Sequence, residues 1–282
     1  MNRLIRTAVI LALTICLLAP AEELFRDLAL QQGLNLSAVT SRSRPLILKT
    51  ILQEDDTGKP IWRLAQWGTK YDLSAAEMVV REDGTRLMKN AGKAITIHPG
   101  GLSGDGVTLA VYGGVEYGGH LRKQGEPWPH LLVEQGLSSD FRLADYARVY
   151  FSLDFKVERC DVATTEAVDR SLHTGQVTAY FSIRNDNRES ADFNDAIWFG
   201  LPLYDVRHDL PGGHQAVDGG KDDATGMFIC TLPGKRFYDT PTGDGAWHEL
   251  RGDLVPLVKE ALAASQAKGF LKDTVLEDLR PT

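Results

Sequence analysis

Three segments with a period of two carry the residues best suited to do chemistry. Tyr150, Ser152, Asp154 and Lys156 alternate with Val149, Phe151, Leu153, Phe155 and Val157. Tyr180, Ser182 and Arg184 alternate with Ala179, Phe181 and Ile183, and Trp198 and Tyr204 alternate with Ile197, Phe199, Leu201 and Leu203. Successive strand side chains point to opposite faces, so committing the apolar set to a core puts Tyr150, Asp154, Tyr180, Arg184 and Trp198 on the other face. The segment His130-Leu131-Leu132-Val133-Glu134 adds His130 and Glu134 to it. Rings beside carboxylates and a guanidinium suit a sugar polymer, because rings stack on the apolar faces of pyranoses while charged groups bind hydroxyls. Glycoside hydrolysis needs two carboxyl groups flanking the bond, and Glu134 with Asp154, on consecutive expected strands, is the candidate catalytic pair. Lyase chemistry would use Tyr180 or His130 as base, with Arg184 neutralising a uronate. The plainer reading is a solvated sheet face with cross-strand pairs such as Asp154 with Arg184.

Two further segments stand out. Gly118 to His130 sets His120, Arg122, Glu126 and Trp128 in a Gly/Pro frame. It reads either as a loop bordering the site, with Arg122, Glu126 and Trp128 towards substrate, or as a turn stiffened by Pro127 and Pro129 in which Trp128 plugs one end of the sandwich. The run from Asp218 to Asp222 and Asp223 is the candidate for a structural Ca2+, since loop carboxylates and carbonyls hold hard cations; a solvated acidic turn is the alternative. The seven His never pair at ligand spacing, which argues against Zn.

The elements that must position these groups are short strands. Besides the three strong ones, alternation predicts strands at Ile61–Trp67, Met78–Arg81, Arg86–Lys89, Ala94–His98, Val107–Tyr112, Leu131–Gln135 and Met227–Leu232. Glu82-Asp83-Gly84-Thr85 reads as a tight hairpin turn. Helices are expected at Glu22–Gln32 and at Leu254–Lys268, the second with Asp253 as N-cap and Gly269 as stop. Strands joined by Gly/Asp/Pro turns without interleaved helices imply an antiparallel sandwich rather than a parallel sheet.

A chain of 282 residues with 43% hydrophobic and 24% charged residues is globular in composition, which excludes wholesale disorder. Its net charge of −7 argues against a nucleic-acid partner, which needs a basic face. Arg3 and Arg6, an uncharged run from Thr7 to Ala19, and Ala19-Pro20-Ala21 fit a cleaved signal peptide over residues 1–21. Its removal would take two Arg and no acids, moving the charge from −7 to −9. No other stretch approaches a bilayer-spanning length, so no membrane span is expected. The expected location is periplasmic or extracellular. Cys160 and Cys230 would then sit in an oxidising compartment, either paired or as two separate buried thiols.

The long alternating strands, the aromatic and charged face, and a Trp247-His248 strand leading to a helix resemble the concanavalin A-like jelly rolls of secreted sugar-binding proteins, glycoside hydrolases and polysaccharide lyases. The resemblance covers roughly Pro45–Leu250 and implies an all-β fold, an antiparallel β-sandwich (jelly roll) with one late α-helix. The Glu-x-Asp-x-Glu strand of many such glycanases does not occur here. Such sandwiches usually add a strand after the late helix; none is evident here, so an edge strand is expected to be missing or supplied by a neighbouring chain. The expected organisation is a signal peptide (1–21), a leader (22–44) and one sandwich domain (45–282). The leading functional expectation is a polysaccharide- or oligosaccharide-binding protein or an enzyme acting on one. The alternatives are an exported structural or partner-binding sandwich and a metal-dependent hydrolase built on the Asp-rich loops.

Overall fold

The computed structural model describes residues 23–39, 45–51, 58–162, 167–219 and 225–282. The N-terminal half forms β1 (Leu34–Ser37), β2 (Ile47–Ile51), β3 (Trp62–Trp67), β4 (Met78–Val80), β5 (Arg86–Lys89), β6 (Lys93–Ile97), β7 (Val107–Val111), the single-turn α1 (Gly113–Glu116) and β8 (His130–Gln135). The C-terminal half forms β9 (Tyr150–Phe155), β10 (Gln176–Asn185), β11 (Ala196–Asp205), β12 (His214–Val217), β13 (Phe228–Thr231), β14 (His248–Asp253), α2 (Leu254–Ala267) and β15 (Leu279–Pro281). The protein is an all-β sandwich with a late helix.

Among the described residues four sheets form, ordered β2-β1-β3-β8, β4-β5-β6-β7, β12-β13-β11-β10-β15 and β14-β9. Pairing is antiparallel except for β1 with β3 and β11 with β13. The alternation explains the layers. Leu34, Leu36, Trp62 and Leu64 from the first sheet meet Met88, Ile95 and Ile97 from the second in one core. Phe181, Ile183, Ile197, Phe199, Leu201, Phe228 and Cys230 line the inner face of the five-stranded sheet. There they meet Phe155, Leu250 and the apolar stripe of α2 in a second core. Phe25 packs against both cores, stacked on Trp62 at 5.9 Å and edge-on to Phe151 at 6.4 Å.

Most expected strands form close to their expected bounds. The turn at 82–85 closes β4 to β5, with Gly84 at φ 82° and Arg81 N–H donating to the Thr85 carbonyl at 2.8 Å. Helix α2 starts at Asp253, whose carboxylate accepts from the N–H of Val255 at 3.2 Å and of Val149 at 3.1 Å. Gly269, at φ 89°, follows its last turn.

Two expectations need correcting. The described residues 23–32 form turns, not a helix: Asp27 and Leu30 are left-handed. Tertiary partners take the backbone groups a helix would have used, since Trp62 Nε1 donates to the Arg26 carbonyl at 2.8 Å and Leu102 N–H to that of Leu28 at 2.7 Å. Residues 34–37 then run between β2 and β3, inside a sheet. A strand also follows the late helix: Leu279–Pro281 pairs with Ile183–Asn185 at the edge of the five-stranded sheet.

Candidate functional site

The outer face of the five-stranded sheet holds Tyr180, Ser182 and Arg184 on β10 and Trp198 on β11, opposite in direction to the core residues Phe181, Ile183, Ile197 and Phe199. Ser182 sits directly across from Trp198, Tyr180 across from Gly200, and Gly200 across from Thr231 on β13. Glycine at position 200 makes a shelf. A Cβ there would lie 2.8 Å from Tyr180 Cε1 and 2.6 Å from Thr231 Oγ1, so the Tyr180 ring rests on bare backbone. Its centroid is 6.1 Å from that of Trp198, at an interplanar angle of 52°. Tyr180 is 46% exposed and Trp198 half-buried, so the pair forms an open aromatic floor.

One end of this floor is cationic. Arg184 lies directly opposite Arg280 of β15. Asp186 takes Arg280 (Nε to Oδ2, 3.4 Å) and Arg142 (Nη2 to Oδ2, 3.3 Å). Arg184 keeps no such partner among the described residues, and its Nε is sealed from solvent without a hydrogen bond. Nothing in the sequence marks Arg280, because its strand, three residues long, has no alternation to reveal it.

The expected face does not assemble as one surface. Asp154 and Tyr150 lie on β9, which among the described residues pairs only with β14. The rings of Phe151 and Phe181 meet edge-on at 5.1 Å across the core, so the residues alternating with them point out of opposite sides of the sandwich. Asp154 and Tyr150 are therefore separated from Tyr180, Arg184 and Trp198 by a core layer. On their own side, Asp154 faces Glu249 directly across the β9–β14 pair. Tyr150 and Trp247 stand 63% and 65% exposed beside them, with Lys156 Nζ 5.5 Å from the Trp247 ring centroid. Glu249 also accepts from Ser152 Oγ at 3.4 Å and pairs with Arg251. Glu249 carries a signal that reading strands singly misses: the register that puts it opposite Asp154.

Glu134 and Asp154 are likewise not brought together. Glu134 is on β8, in the N-terminal core's sheet, and is engaged by the guanidinium of Arg63 on β3. Burial lowers the pKa of Arg63. His130 stacks on Trp67 at 4.7 Å, with Nδ1 2.7 Å from the Trp128 carbonyl oxygen. Arg122 lies over the Trp128 ring, 3.9 Å from its centroid, and the Trp128 carbonyl seats on Gly68, where a Cβ would come within 2.1 Å. Tyr117 donates to the Pro127 carbonyl at 3.0 Å, and burial pushes its phenol up to about 12. These contacts make Gly118–His130 a packed strut in which Trp128 and Arg122 hold each other. Beneath it, Glu116 accepts from Lys70 N–H at 2.8 Å and lies 4.0 Å from Lys93 Nζ. Lys93 is fully buried, and that burial, opposed by Glu116 and Asp72, brings its ammonium down to about 8.

Asp218 closes its own loop, with Oδ2 accepting from the Thr225 N–H at 2.9 Å and hydroxyl at 2.8 Å. Asp222 and Asp223 lie outside the described residues. Among the described residues, no three His, Cys, Asp or Glu side chains gather as a metal-binding group. Cys160 is exposed and Cys230 buried, each as a free thiol, and burial pushes the Cys230 thiol up to about 11. Cys160 lines a shallow polar depression of about 300 Å³ with Arg159, Asp161, Tyr204 and Asp244. Among the described residues, no helix is long and apolar enough to cross a membrane. Comparison with protein-family models, with curated proteins and with solved structures finds no match to this chain.

Proposed function

We propose that the outer face of the five-stranded sheet binds a polysaccharide or oligosaccharide outside the cytoplasm. The observation that carries this reading is the Tyr180–Trp198 pair, 6.1 Å apart on an open sheet whose floor at Gly200 lacks a side chain. Two large rings left half-exposed on neighbouring strands offer flat apolar area at low entropic cost, having few rotatable bonds. The polar groups around them, Ser182 and Arg184, supply hydroxyl partners.

A glycan array followed by titration tests the proposal. Trp198→Ala should weaken binding with only a small change in melting temperature, because the ring is not part of the core. Binding to no polysaccharide, or binding indifferent to Trp198→Ala, would overturn it and favour the partner-binding alternative.

A second reading, glycan hydrolysis on the β9–β14 face, has one observation in its favour. Direct opposition of Asp154 and Glu249 sets their Cβ atoms about 4.5–5.5 Å apart. Retaining glycosidases separate their carboxyls by a similar distance, about 5–5.5 Å. Exposed Tyr150 and Trp247 would flank the bond. Polysaccharide turnover abolished by Glu249→Gln would establish it; turnover indifferent to that change would dismiss it.

A further inference from the structure

We infer that the sugar taken by the Tyr180–Trp198 face is anionic, a uronate or sulfated polymer whose negative group docks on Arg184 beside Arg280; this rests on the glycan reading above. The register places these two arginines directly opposite each other on β10 and β15. Like charges in that position repel and destabilise a sheet. Asp186 answers one side of the problem by taking Arg280 and Arg142. Nothing among the described residues answers Arg184, a half-buried side chain whose Nε is closed to solvent with no acceptor. A partly desolvated guanidinium without a partner is costly to keep.

The arrangement is coherent if the missing partner comes with the ligand. With Nε sealed inside, the two terminal Nη groups are the ones left to donate to a carboxylate or sulfate in parallel, the strong and directional form of anion recognition. Arg184 stands one position beyond Ser182 on the same face, so it is a diagonal neighbour of Trp198. Diagonal neighbours on a sheet are about 7–8 Å apart, roughly the length of one sugar ring with its substituent. A pyranose stacked on Trp198 would therefore present an equatorial carboxylate or sulfate to Arg184. The repulsion between the two arginines would be relieved on binding, so charge recognition and affinity would rise together.

Polygalacturonate, its methyl ester, dextran sulfate and unmodified dextran are the probes, titrated against the full chain at 50 and 200 mM salt. The inference expects polygalacturonate, dextran sulfate or both to bind at least tenfold more tightly than the uncharged counterpart, with affinity falling as salt rises. Which of the two binds distinguishes a carboxylate from a sulfate. Arg184→Gln should erase most of the difference, and Arg184→Lys, which keeps the charge and loses the fork, should restore only part of it. A folded Arg184→Gln chain, checked by thermal melt, that still prefers the charged polymer tenfold overturns the inference. So does equal binding of charged and uncharged forms; if that binding is lost in Trp198→Ala, the glycan reading survives and only its charge selectivity falls. Silence towards all four polymers with Arg184-dependent binding of poly(U) would overturn both and assign the face to single-stranded nucleic acid.

Discussion

Gly200→Ala should uncouple stability from binding on the aromatic face. Gly200 has ordinary strand backbone, so alanine is compatible with the conformation and would bring about 0.5–1 kcal/mol of reduced chain entropy. The added methyl meets Thr231 Oγ1 at 2.6 Å, Tyr180 Cε1 at 2.8 Å and Thr178 Cγ2 at 3.2 Å. Overlaps of that kind cost about 1–3 kcal/mol when neighbours are fixed. Here the exposed Tyr180 ring can swing outward, but Thr231 is buried and β-branched and yields less easily, so the cost lies in the middle of that range, about 1.5–2.5 kcal/mol. The net expectation is a loss of about 0.5–2 kcal/mol, a fall of a few degrees in melting temperature for a chain of this size. The functional effect is larger in proportion. Once the Tyr180 ring leaves its shelf, one stacking surface of the order of 1 kcal/mol is lost, or about fivefold in Kd. Titration of the bound polysaccharide against the native chain, Gly200→Ala, Tyr180→Ala and the double variant reads this directly. Because the methyl acts through the ring, Gly200→Ala should cost little further affinity in the Tyr180→Ala background. A full fivefold loss in that background, or unchanged affinity in the single variant, would refute the shelf.

Three other outcomes follow from buried groups. Burial raises the Asp205 carboxyl, but hydrogen bonds from Arg207 and Gln176 outweigh it and hold the group down at about 2. Its contribution is therefore full above the unfolded value near 4 and is lost as pH falls through about 2. It amounts to about 2 kcal/mol, and urea melts of Asp205→Asn should lack that part of the acid slope. Lys93, lowered to about 8, binds its proton less well folded than unfolded, so stability attributable to it rises as pH climbs above about 8. The difference in melting free energy between the native chain and Lys93→Met should grow with pH from 8 to 9, and a flat difference would contradict the burial argument. Phe199→Ala removes a fully buried ring from the C-terminal core and should cost about 3–5 kcal/mol; surface-like tolerance in a thermal melt would mean that the register is off by one.

Alternation alone determined which side of β9, β10 and β11 faces inward. The apolar residues of each strand, Phe151, Phe181 and Phe199 among them, are large enough that only one pleat phase buries them, and the opposite phase is then forced. The late helix was equally legible, since Asp253, the 254–265 stripe and Gly269 encode start, face and stop in local spacing. Strands β1, β2, β12 and β15 were not legible. They are three to five residues long, and pairing with neighbours far along the chain, rather than their own pattern, makes them strands.

What only the tertiary structure decided is which strands are neighbours. Period two tells which residues share a face of one strand, but nothing in it says that β9 pairs with β14 instead of β10. That choice rests on the sum of long-range contacts, among them the Phe151–Phe181 contact that stacks β9 over β10 instead of beside it. It moved Asp154 across the core to meet Glu249, gave Glu134 to Arg63, and set Arg280 opposite Arg184. Side-chain direction is local, set by the pleat. Side-chain company is global, set by how sheets stack, and the chemistry of this protein depends on the second.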